Sequence, residues 1–433
     1  MNLYNIMDVN EAIERLYSLQ KFGIKLGLSN IENLLEHIGN PQNSLKAIHI
    51  AGTNGKGSTS SFLASILMEC GYKTGLYTSP HFVQFNERVR INGKEIPDEY
   101  IAEFIANNND FITEHKLTFF EVTTALAFRY FADQRVDYAV IETGLGGRLD
   151  ATNTISPVAS VITSISLEHT EILGDTIEQI AGEKGGIIKK SSKVFLGRLP
   201  FKAENVLIDI SRDLGTEVFK VADYTNEQKG SLGYVSPLLT FDSIETPLRG
   251  IYQKYNASLA ILVLSEALGI VNPELITKGI NNVIKNSGIQ GRYEIYSESP
   301  RVIFDSAHNK EGIDSFLTAF GEEARNYGSK VLLFGAMRDK AIEEMLQSLN
   351  PFFDEIRFNS IDYQRAATVD DLAFIARKLG LRFKMENSGA DYILDFLRTH
   401  GPSDCLVVLG SMYVLGEIKK QLLTKKKLDI FSQ

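Results

Sequence analysis

The residues from Gly52 to Ser58 (GTNGKGS) have the composition of a loop that binds phosphate. Glycines allow backbone N–H groups to turn toward an anion, a following helix adds roughly half a positive charge at its N-terminus, and Lys56 adds a full charge. The spacing differs from the usual G-x-x-x-x-G-K-[ST] pattern, because the loop is shorter and Gly57 separates Lys56 from Ser58. A turn that only joined a strand to a helix would not need the lysine. The loop therefore predicts a nucleoside triphosphate site.

Two elements must position this loop. The apolar run Ala47–Ala51 predicts a short buried strand before it. After it, Phe62, Ile66 and Cys70 lie four residues apart, which predicts a helix with one buried stripe that stops near Gly71. Strand, loop and helix in this order form a cradle for phosphate.

An acid and a glycine-rich segment follow another predicted strand. Glu142 ends the apolar run Val136–Glu142, and an acid at this position beside a phosphate loop could hold Mg²⁺. The next segment, Gly144–Asn153, combines three glycines with Arg148 and Asp150, which suits a loop that approaches a ligand closely. A solvated acid and a flexible connection are the alternatives, and the phosphate loop upstream favours the functional interpretations.

Three polar residues have roles that the pattern leaves open. Ser79 ends a predicted strand and could supply a hydroxyl ligand to a metal, although spacing alone favours an ordinary turn serine. His169 could complete an oxygen-rich metal site or contact a substrate, yet a lone loop histidine more often does neither. Lys184 is most simply a surface lysine near a helix end.

The second half of the chain carries a similar set at two predicted strand ends. Asp305 and His308 could face a cleft, and Asn309 could cap the helix that follows. Ser411 occupies the same kind of junction after the last predicted strand and is a possible anion contact.

The whole chain alternates short apolar runs with helical patterns, which predicts α/β sheets. The predicted strands are Lys73–Ser79, Val136–Glu142, Val158–Ile165, Lys193–Leu196, Arg301–Ser306, Lys330–Ala336, Glu355–Asn359, Leu381–Met385 and Cys405–Gly410. The predicted helices are Asp98–Asn109, Glu121–Phe131, Ile177–Ile188, Asn256–Leu268, Pro273–Ile284, Lys310–Tyr327, Ala341–Leu349, Val369–Leu379, Gly389–Thr399 and Tyr413–Leu423. Residues 224–249 predict polar turns and short edge strands.

The pattern also divides the chain into two domains. We place one domain at residues 1–295 and a smaller Rossmann-like domain at residues 296–433. A cleft between two such domains would suit a reaction that joins two substrates.

Composition excludes several classes. The 433 residues carry 45 Lys and Arg against 54 Asp and Glu, a net charge of −9, which argues against nucleic acid as the main partner. The two cysteines, Cys70 and Cys405, provide no disulfide framework and no thiolate metal site. Residues 1–14 show no secretory signal and no apolar run reaches membrane-spanning length, so we expect a reducing cytoplasm and no membrane partner.

Taken together, these segments resemble the folylpolyglutamate synthase/dihydrofolate synthase family of the Mur ligase superfamily. The resemblance runs in family order from Gly52 to Ser411 and rests on an ordered set of motifs: Gly52–Ser58, Ser79-Pro80-His81, Phe85–Arg88, Phe119–Ala127, Glu142–Asn153, Glu168-His169, Glu183–Lys189, Tyr255-Asn256, Gly291-Arg292, Asp305–Asn309 and Gly410-Ser411. It implies a P-loop NTPase-like central domain followed by a Rossmann-like domain. It also implies ATP-dependent ligation of L-glutamate to a folate or dihydropteroate carboxylate through an acyl phosphate, by an enzyme that works as a monomer.

The resemblance also implies roles for individual residues. Mg²⁺, with two ions expected, would be held by Ser79, Glu142, His169 and a carbamylated Lys184. Lys56, His308 and Lys184 would be catalytic. The ATP contacts would be Thr53, Asn54, Gly55, Lys56, Gly57, Ser58, Asn256, Arg292 and Asp305. Phe120, Glu121, Gly146 and Asp150 would contact the folate, and His308 and Ser411 the glutamate. General P-loop reasoning gives the metal hydroxyl to Ser58 instead, and we rank Ser79 higher because Gly57 displaces Ser58.

Two residues differ from the usual family pattern, and two other classes of protein are alternatives to the family assignment. Ser306 stands where the family usually has glycine and Thr143 where valine is common, and both are small enough that we expect no loss of activity. A Mur-type ligase acting on a UDP-MurNAc peptide would carry a UDP-binding domain before the phosphate loop, where this sequence has 51 residues. A nucleotide-binding regulator that is not a ligase would have no use for Asp305, His308 and Ser411. The sequence does not distinguish the two folate activities, and we predict both.

Overall fold

The computed structural model describes residues 8–23, 25, 27–190, 192–228 and 230–431, with the backbone alone for 426–431. Residues 1–7, part of the segment in which no secretory signal is expected, lie outside the described residues. The chain divides into two compact units. Unit 1 comprises residues up to 80, 85–247 and 253–289, and unit 2 comprises 81–84, 248–252 and 290 onward. The boundary predicted at 295/296 falls within a strand, Glu294–Glu298.

Unit 1 is built on a mostly parallel eight-stranded sheet in the order β4-β3-β2-β5-β1-β6-β7-β8. Its strands are β1 (Ala47–Ala51), β2 (Thr74–Tyr77), β3 (Val89–Ile91), β4 (Lys94–Glu95), β5 (Tyr138–Glu142), β6 (Ala159–Ile162), β7 (Lys193–Leu196) and β8 (Val218–Lys220). The β1 strand is buried along its whole length and pairs in parallel with β5 and β6, as expected for a near-continuous apolar run in the middle of a parallel sheet.

The helices of unit 1 pack around this sheet. They are α1 (Val9–Ser18), α2 (Ser29–His37), α3 (Lys56–Glu69), α4 (Asp98–Glu114), α5 (Phe119–Asp133), α6 (Thr170–Leu173), α7 (Ile177–Gly185), α8 (Phe201–Leu214), α9 (Ile251–Leu268), α10 (Pro273–Asn281) and α11 (Val283–Ser287). The first two residues of α9 are assigned to unit 2. One correction concerns α3, because residues 58–67 are all buried and α10 and α11 cover it, so the predicted single stripe is wrong. Cys70 ends this helix and is only partly buried.

A small antiparallel sheet occupies the segment predicted to contain turns and edge strands. It has the order β11-β10-β9, formed by β9 (Thr225–Gln228), β10 (Ser231–Val235) and β11 (Thr240–Phe241). The structure thus confirms this part of the sequence interpretation.

Unit 2 is a second α/β sandwich. Its six strands have the order β12-β13-β17-β14-β15-β16, and only β12 runs antiparallel to its neighbour. The strands are β12 (Glu294–Glu298), β13 (Arg301–Asp305), β14 (Ser329–Gly335), β15 (Glu355–Phe358), β16 (Phe383–Met385) and β17 (Asp404–Gly410). The helices are α12 (Lys310–Glu323), α13 (Ile342–Leu349), α14 (Val369–Lys378), α15 (Gly389–Thr399) and α16 (Met412–Phe431).

Alternate residues of the central strands in unit 2 face two separate cores. Ile303 and Val407 pack with α12, α13 and α14, whereas Val302 and Val408 pack with α15 and α16. This alternation explains why these strands read as continuous apolar runs. Across both units, the helices of the described part of the chain include none that combines the length and apolar character needed to cross a membrane.

Candidate active site

The phosphate loop joins β1 to α3 at the carboxyl edge of the sheet in unit 1. Gly55 precedes the first helical residue, Lys56, so the N-terminus of α3 opens directly onto the loop. The Lys56 ammonium donates to the carbonyl oxygens of Gly52 at 2.9 Å and Thr53 at 3.1 Å. A helix N-terminus and a lysine therefore meet on one short loop, which is the arrangement that attracts phosphate.

The segment after β6 fixes the shape of the phosphate loop. Ser164 Oγ accepts from the Asn54 N–H at 2.8 Å and donates to the Asn54 carbonyl at 2.9 Å. The Thr163 hydroxyl donates to the same carbonyl at 2.7 Å. A Cβ atom at Gly52 would lie only 2.0 Å from Thr163 Oγ1, so this position requires glycine. Sequence reasoning missed Thr163 and Ser164, and the hydroxyl residues at positions 163, 164 and 166 were the signal available.

Asn256 also reaches the phosphate loop. It lies on α9, and a Cβ atom at Gly55 would meet its Oδ1 at 2.8 Å. The structure therefore places this predicted ATP contact beside the loop, although the two segments are 200 residues apart in sequence.

Glu142 lies at the end of β5, next to the strand that leads into the phosphate loop. The register pairs Glu142 with Ile50, two residues before Gly52. Its buried Oε2 accepts from the Ser79 N–H at 3.1 Å, so Ser79 and Glu142 are neighbours. One carboxylate beside a phosphate loop fits Mg²⁺, which is usually held by one or two carboxylates together with phosphate oxygens and water.

Lys184 corrects the sequence interpretation, because it is buried rather than on the surface. Its ammonium donates at 2.8 Å to the Gly52 carbonyl, the same oxygen that accepts from Lys56. Burial, together with the charge of Lys56, lowers the pKa of Lys184 from 10.5 to about 7. Lys184 therefore lies against the phosphate loop, in surroundings that disfavour its charged form.

His169 lies in the connection between β6 and α7. Its φ of 52° places it in the left-handed region, directly before α6. Among the described residues, no group of three or more His, Cys, Asp or Glu side chains is arranged to hold a metal ion. The metal assignment for His169 therefore stays a prediction.

The loop from Gly144 to Asn153 packs against α7 and α5. A Cβ atom at Gly147 would lie 2.8 Å from the Glu183 and Lys184 carbonyl oxygens, and one at Gly146 would lie 2.9 Å from Leu173 Cδ2. Gly144 lies against the ring of Phe120, which is only partly buried. The loop thus connects the Lys184 helix with an aromatic side chain.

Two of the residues predicted to contact folate make internal contacts in the structure. Glu121 Oε2 accepts from the Thr118 N–H at 2.7 Å and from the Thr118 hydroxyl at 2.8 Å, which forms the capping box of α5. Asp150 Oδ2 accepts from the Leu145 N–H at 2.7 Å, within the loop itself. Burial raises the pKa of Asp150.

The predicted residues of unit 2 cluster at the carboxyl ends of its parallel strands. Asp305 ends β13 and accepts from the Tyr293 and Ala307 N–H groups at 2.7 and 2.8 Å. Burial raises its pKa from 3.8 to about 6, although the Arg292 charge acts in the opposite direction. Arg292 donates to the Ser306 hydroxyl.

The remaining predicted residues of unit 2 follow the same edge. His308 Nδ1 lies 2.8 Å from the Ser306 carbonyl oxygen. Asn309 caps α12 by accepting from the Gly312 N–H at 2.8 Å, which confirms the predicted cap. Ser411 follows β17, the strand next to β13, and its N–H donates to the Gly335 carbonyl at 3.0 Å.

Two family models match the chain. The Mur ligase middle domain matches residues 50–264, and the Mur ligase glutamate ligase domain matches residues 291–412. The first match contains the phosphate loop, Glu142, Lys184 and Asn256, and the second contains the cluster around Asp305.

Curated relatives match over nearly the whole chain. The dihydrofolate synthase/folylpolyglutamate synthase of Bacillus subtilis is 34% identical over 431 residues, which cover 95% of this chain and 98% of the relative. The probable bifunctional folylpolyglutamate synthase/dihydropteroate synthase of Haloferax volcanii is 33% identical over 95% of this chain. The match spans only 50% of that longer relative.

Solved structures agree with the sequence matches. Escherichia coli FolC in complex with DHPP and ADP superimposes with a TM-score of 0.85 at 30% identity, covering 96% of this chain and 98% of the other. A bifunctional folylpolyglutamate synthase/dihydrofolate synthase with Mn, AMPPNP and L-glutamate bound gives a TM-score of 0.83 at 26% identity, covering 95% and 98%.

Proposed function

The chain belongs to the folylpolyglutamate synthase/dihydrofolate synthase family of ATP-dependent Mur ligases, and from this premise we propose that it joins L-glutamate to the carboxylates of both dihydropteroate and reduced folates. The observation that carries the proposal is the phosphate loop with Lys56, Glu142 and Lys184 around it in one unit. The near full-length match to the Bacillus subtilis enzyme favours a folate acceptor over the UDP-linked acceptor of a cell-wall ligase.

The chemistry begins with a carboxylate that does not react with amines at neutral pH. An oxygen of the acceptor carboxylate attacks the γ-phosphorus of ATP, ADP leaves, and an acyl phosphate forms. The glutamate amine then attacks the carbonyl carbon, and phosphate leaves as the amide forms and the amine loses a proton. Both steps bring anions together, so charge neutralisation is the main task of the site.

Lys56 and the N-terminus of α3 supply that neutralisation in unit 1. In the structure the Lys56 ammonium donates to two carbonyl oxygens of its own loop. The hydroxyls of Thr163 and Ser164 donate to the Asn54 carbonyl and so fix the conformation of the loop that presents these groups.

Glu142, Ser79 and His169 are the residues that we propose for Mg²⁺. Glu142 supplies a carboxylate at the strand end and Ser79 is its neighbour. When bound, Mg²⁺ would neutralise phosphate charge and orient the triphosphate. A related structure contains Mn together with AMPPNP and glutamate.

Lys184 is the residue that we propose to be carbamylated. Its amine is buried beside Lys56, and its low pKa leaves a large neutral fraction at neutral pH. A neutral amine can add to CO₂ and lose a proton, which replaces a cation by a carboxylate. The new oxygens would face the phosphate site and could ligate a second Mg²⁺.

Unit 2 supplies the remaining proposed contacts. Arg292 and Asp305 are assigned to ATP together with Asn256 of unit 1, and His308 and Ser411 to the incoming glutamate. Phe120, Glu121, Gly146 and Asp150 are assigned to the folate. We also propose that the enzyme acts as a monomer in the cytoplasm.

Labelled glutamate incorporation tests the proposed acceptor range. Purified protein is supplied with ATP, Mg²⁺ and labelled L-glutamate, and with either dihydropteroate or a tetrahydrofolate monoglutamate in parallel. We expect both acceptors to gain label, and each to stimulate ADP release only when glutamate is present. Labelling of one acceptor alone would contradict the bifunctional assignment, and ATP turnover unaffected by acceptor and glutamate would contradict the ligase itself.

A further inference from the structure

A buried chain of hydrogen bonds connects the strand before the phosphate loop with the loop at residues 144–153. His49 lies in the middle of β1, and its Nε2 lies 2.8 Å from Thr152 Oγ1. The same hydroxyl oxygen lies 2.5 Å from Asp150 Oδ1. His49 and Thr152 are fully buried and Asp150 is 5% exposed. The proposed function has so far given no role to His49 or Thr152.

The directions of these bonds follow from the groups that take part. A carboxylate accepts only, so the single proton of the Thr152 hydroxyl points to Asp150. Thr152 must then accept from His49, which fixes the imidazole proton on Nε2. Burial, assisted by the charge of Lys189, lowers the pKa of His49 to about 3, so the ring is neutral at physiological pH. The series of hydrogen bonds therefore has one direction, in which His49 donates to Thr152 and Thr152 donates to Asp150.

Asp150 in turn shapes the loop at both of its ends. Its Oδ2 accepts from the Leu145 N–H at 2.7 Å, and its Oδ1 accepts from the Thr152 N–H at 3.0 Å. Gly144, next to Leu145, packs so closely against Phe120 that a Cβ atom there would lie 2.4 Å from Phe120 Cζ. A change in the Asp150 carboxylate would therefore move the backbone that lies against the Phe120 ring.

We infer that His49 and Thr152 are positioning residues for the acceptor, which hold the loop at 144–153 in the conformation that binds a planar, conjugated ring system beside Phe120. The inference rests on the proposed function, because it assigns this loop and Phe120 to the folate. The two residues act through Asp150 and do not touch the reacting atoms. Loss of the hydrogen bonds should therefore weaken acceptor binding while ATP binding is kept.

Matched substitutions separate this role from simple packing. Thr152→Val keeps the shape and removes the hydroxyl, whereas Thr152→Ser keeps the hydroxyl. His49→Leu removes the donor, whereas His49→Gln can place an N–H near the original Nε2. We expect Thr152→Val and His49→Leu to raise the KM for dihydropteroate about tenfold, since a buried polar group then lacks its partner. We expect the KM for ATP to change less than about twofold, and the Ser and Gln variants to stay within about threefold of wild type for both substrates.

The wild-type enzyme is measured first, so that a failure of the proposed function can be distinguished from a failure of the positioning role. No glutamate-dependent ADP release with dihydropteroate would contradict the proposed function. With an active wild type, an unchanged acceptor KM in Thr152→Val would overturn the positioning role alone. An equal rise of the KM values for acceptor and ATP would also overturn it, because that result indicates general damage. Thermal unfolding shows whether each variant is folded. If His49→Leu does not fold, the comparison of Thr152→Val with Thr152→Ser tests the positioning role.

Discussion

Two lysines donate to one carbonyl oxygen of the phosphate loop. Lys56 and Lys184 lie 2.9 and 2.8 Å from the Gly52 oxygen. Lys184 is buried, which disfavours its charge, and the neighbouring charge of Lys56 lowers its pKa further, to about 7. Two cations that share one carbonyl oxygen suit the binding of a triphosphate, and conversion of Lys184 to a carbamate would add an anionic oxygen ligand.

Lys184→Ala tests the carbamate. We expect ligation to fall by roughly 10²-fold or more, the loss that follows removal of one charge-stabilising group from an active site. Because the missing group is a carboxylate rather than an amine, propionate in the assay should restore part of the activity, while propylamine should not.

Lys190→Ala is the control, because Lys190 is exposed and lies on the same stretch of chain. It should retain wild-type rates with and without propionate. Near-normal activity of Lys184→Ala, or rescue by the amine and not by the acid, would rule out the carbamate.

Asp305 gives unit 2 a pH-dependent stability whose sign follows from its pKa. Burial raises the folded-state pKa to about 6 from 3.8 in the unfolded chain. Between these values the folded state binds more protons, so the contribution of Asp305 to the unfolding free energy falls as pH rises from about 4 to 6. The unfolding temperature of the wild-type protein, measured relative to that of Asp305→Asn, should therefore fall as the pH rises from about 4 to 6.

Asp371→Asn is the matched control. A hydrogen bond from the Thr368 N–H lowers the pKa of Asp371 below its unfolded value of 3.8, so near pH 4 the folded state binds fewer protons at this carboxylate than the unfolded state does. The unfolding temperature of the wild type relative to Asp371→Asn should therefore rise slightly from pH 4 and level off by about pH 6, which is opposite in sign to the change expected for Asp305. A difference for Asp305→Asn that also rises or stays constant would show that the pKa of Asp305 is not raised in the folded state.

At the scale of elements, helix starts position several of the site residues. The α5 helix begins with a reciprocal capping box in which Glu121 and Thr118 satisfy each other's backbone N–H groups. This start places Phe120 in the first turn of α5, against Gly144. The cap thereby contributes to the geometry of the loop at 144–153.

Glu121→Ala should lower the unfolding free energy by about 1 kcal/mol, because the Thr118 N–H loses its acceptor. Glu121→Gln retains an acceptor oxygen and should lose less than half of that. Urea unfolding of the two variants measures the difference. Equal stability of Glu121→Ala and wild type would show that the cap does not support the fold and would leave the carboxylate to the substrate.

At the scale of the whole molecule, the sequence predicted two α/β units and most of their strands. Strongly apolar runs such as β1 and β17 are recognisable because they are buried on both faces of a sheet. The burial of α3 was not predicted, because it depends on α10 and α11, more than 200 residues away. The burial of Lys184 escaped detection for the same reason, since the loop at 144–153 covers its helix.

For the site as well, features that depend on neighbouring residues were predicted from the sequence, whereas features that depend on contacts between distant segments were not. Glycine spacing and strand-end acids identified the phosphate loop and Glu142 from local sequence. The resemblance to a family, which the sequence and structure matches bear out, was needed to single out Lys184. Thr163 and Ser164 were missed because their hydroxyls act on Asn54, more than 100 residues away.

An isotope-transfer experiment tests the central claim, ATP-driven amide formation through an acyl phosphate, most directly. Dihydropteroate with both carboxylate oxygens labelled with ¹⁸O is turned over with ATP and L-glutamate, and the released phosphate is analysed by mass spectrometry. The bridging oxygen of an acyl phosphate comes from the carboxylate and leaves with phosphate. We therefore predict one ¹⁸O atom in each phosphate released and one in the amide product. Unlabelled phosphate, with ADP still released, would contradict the account.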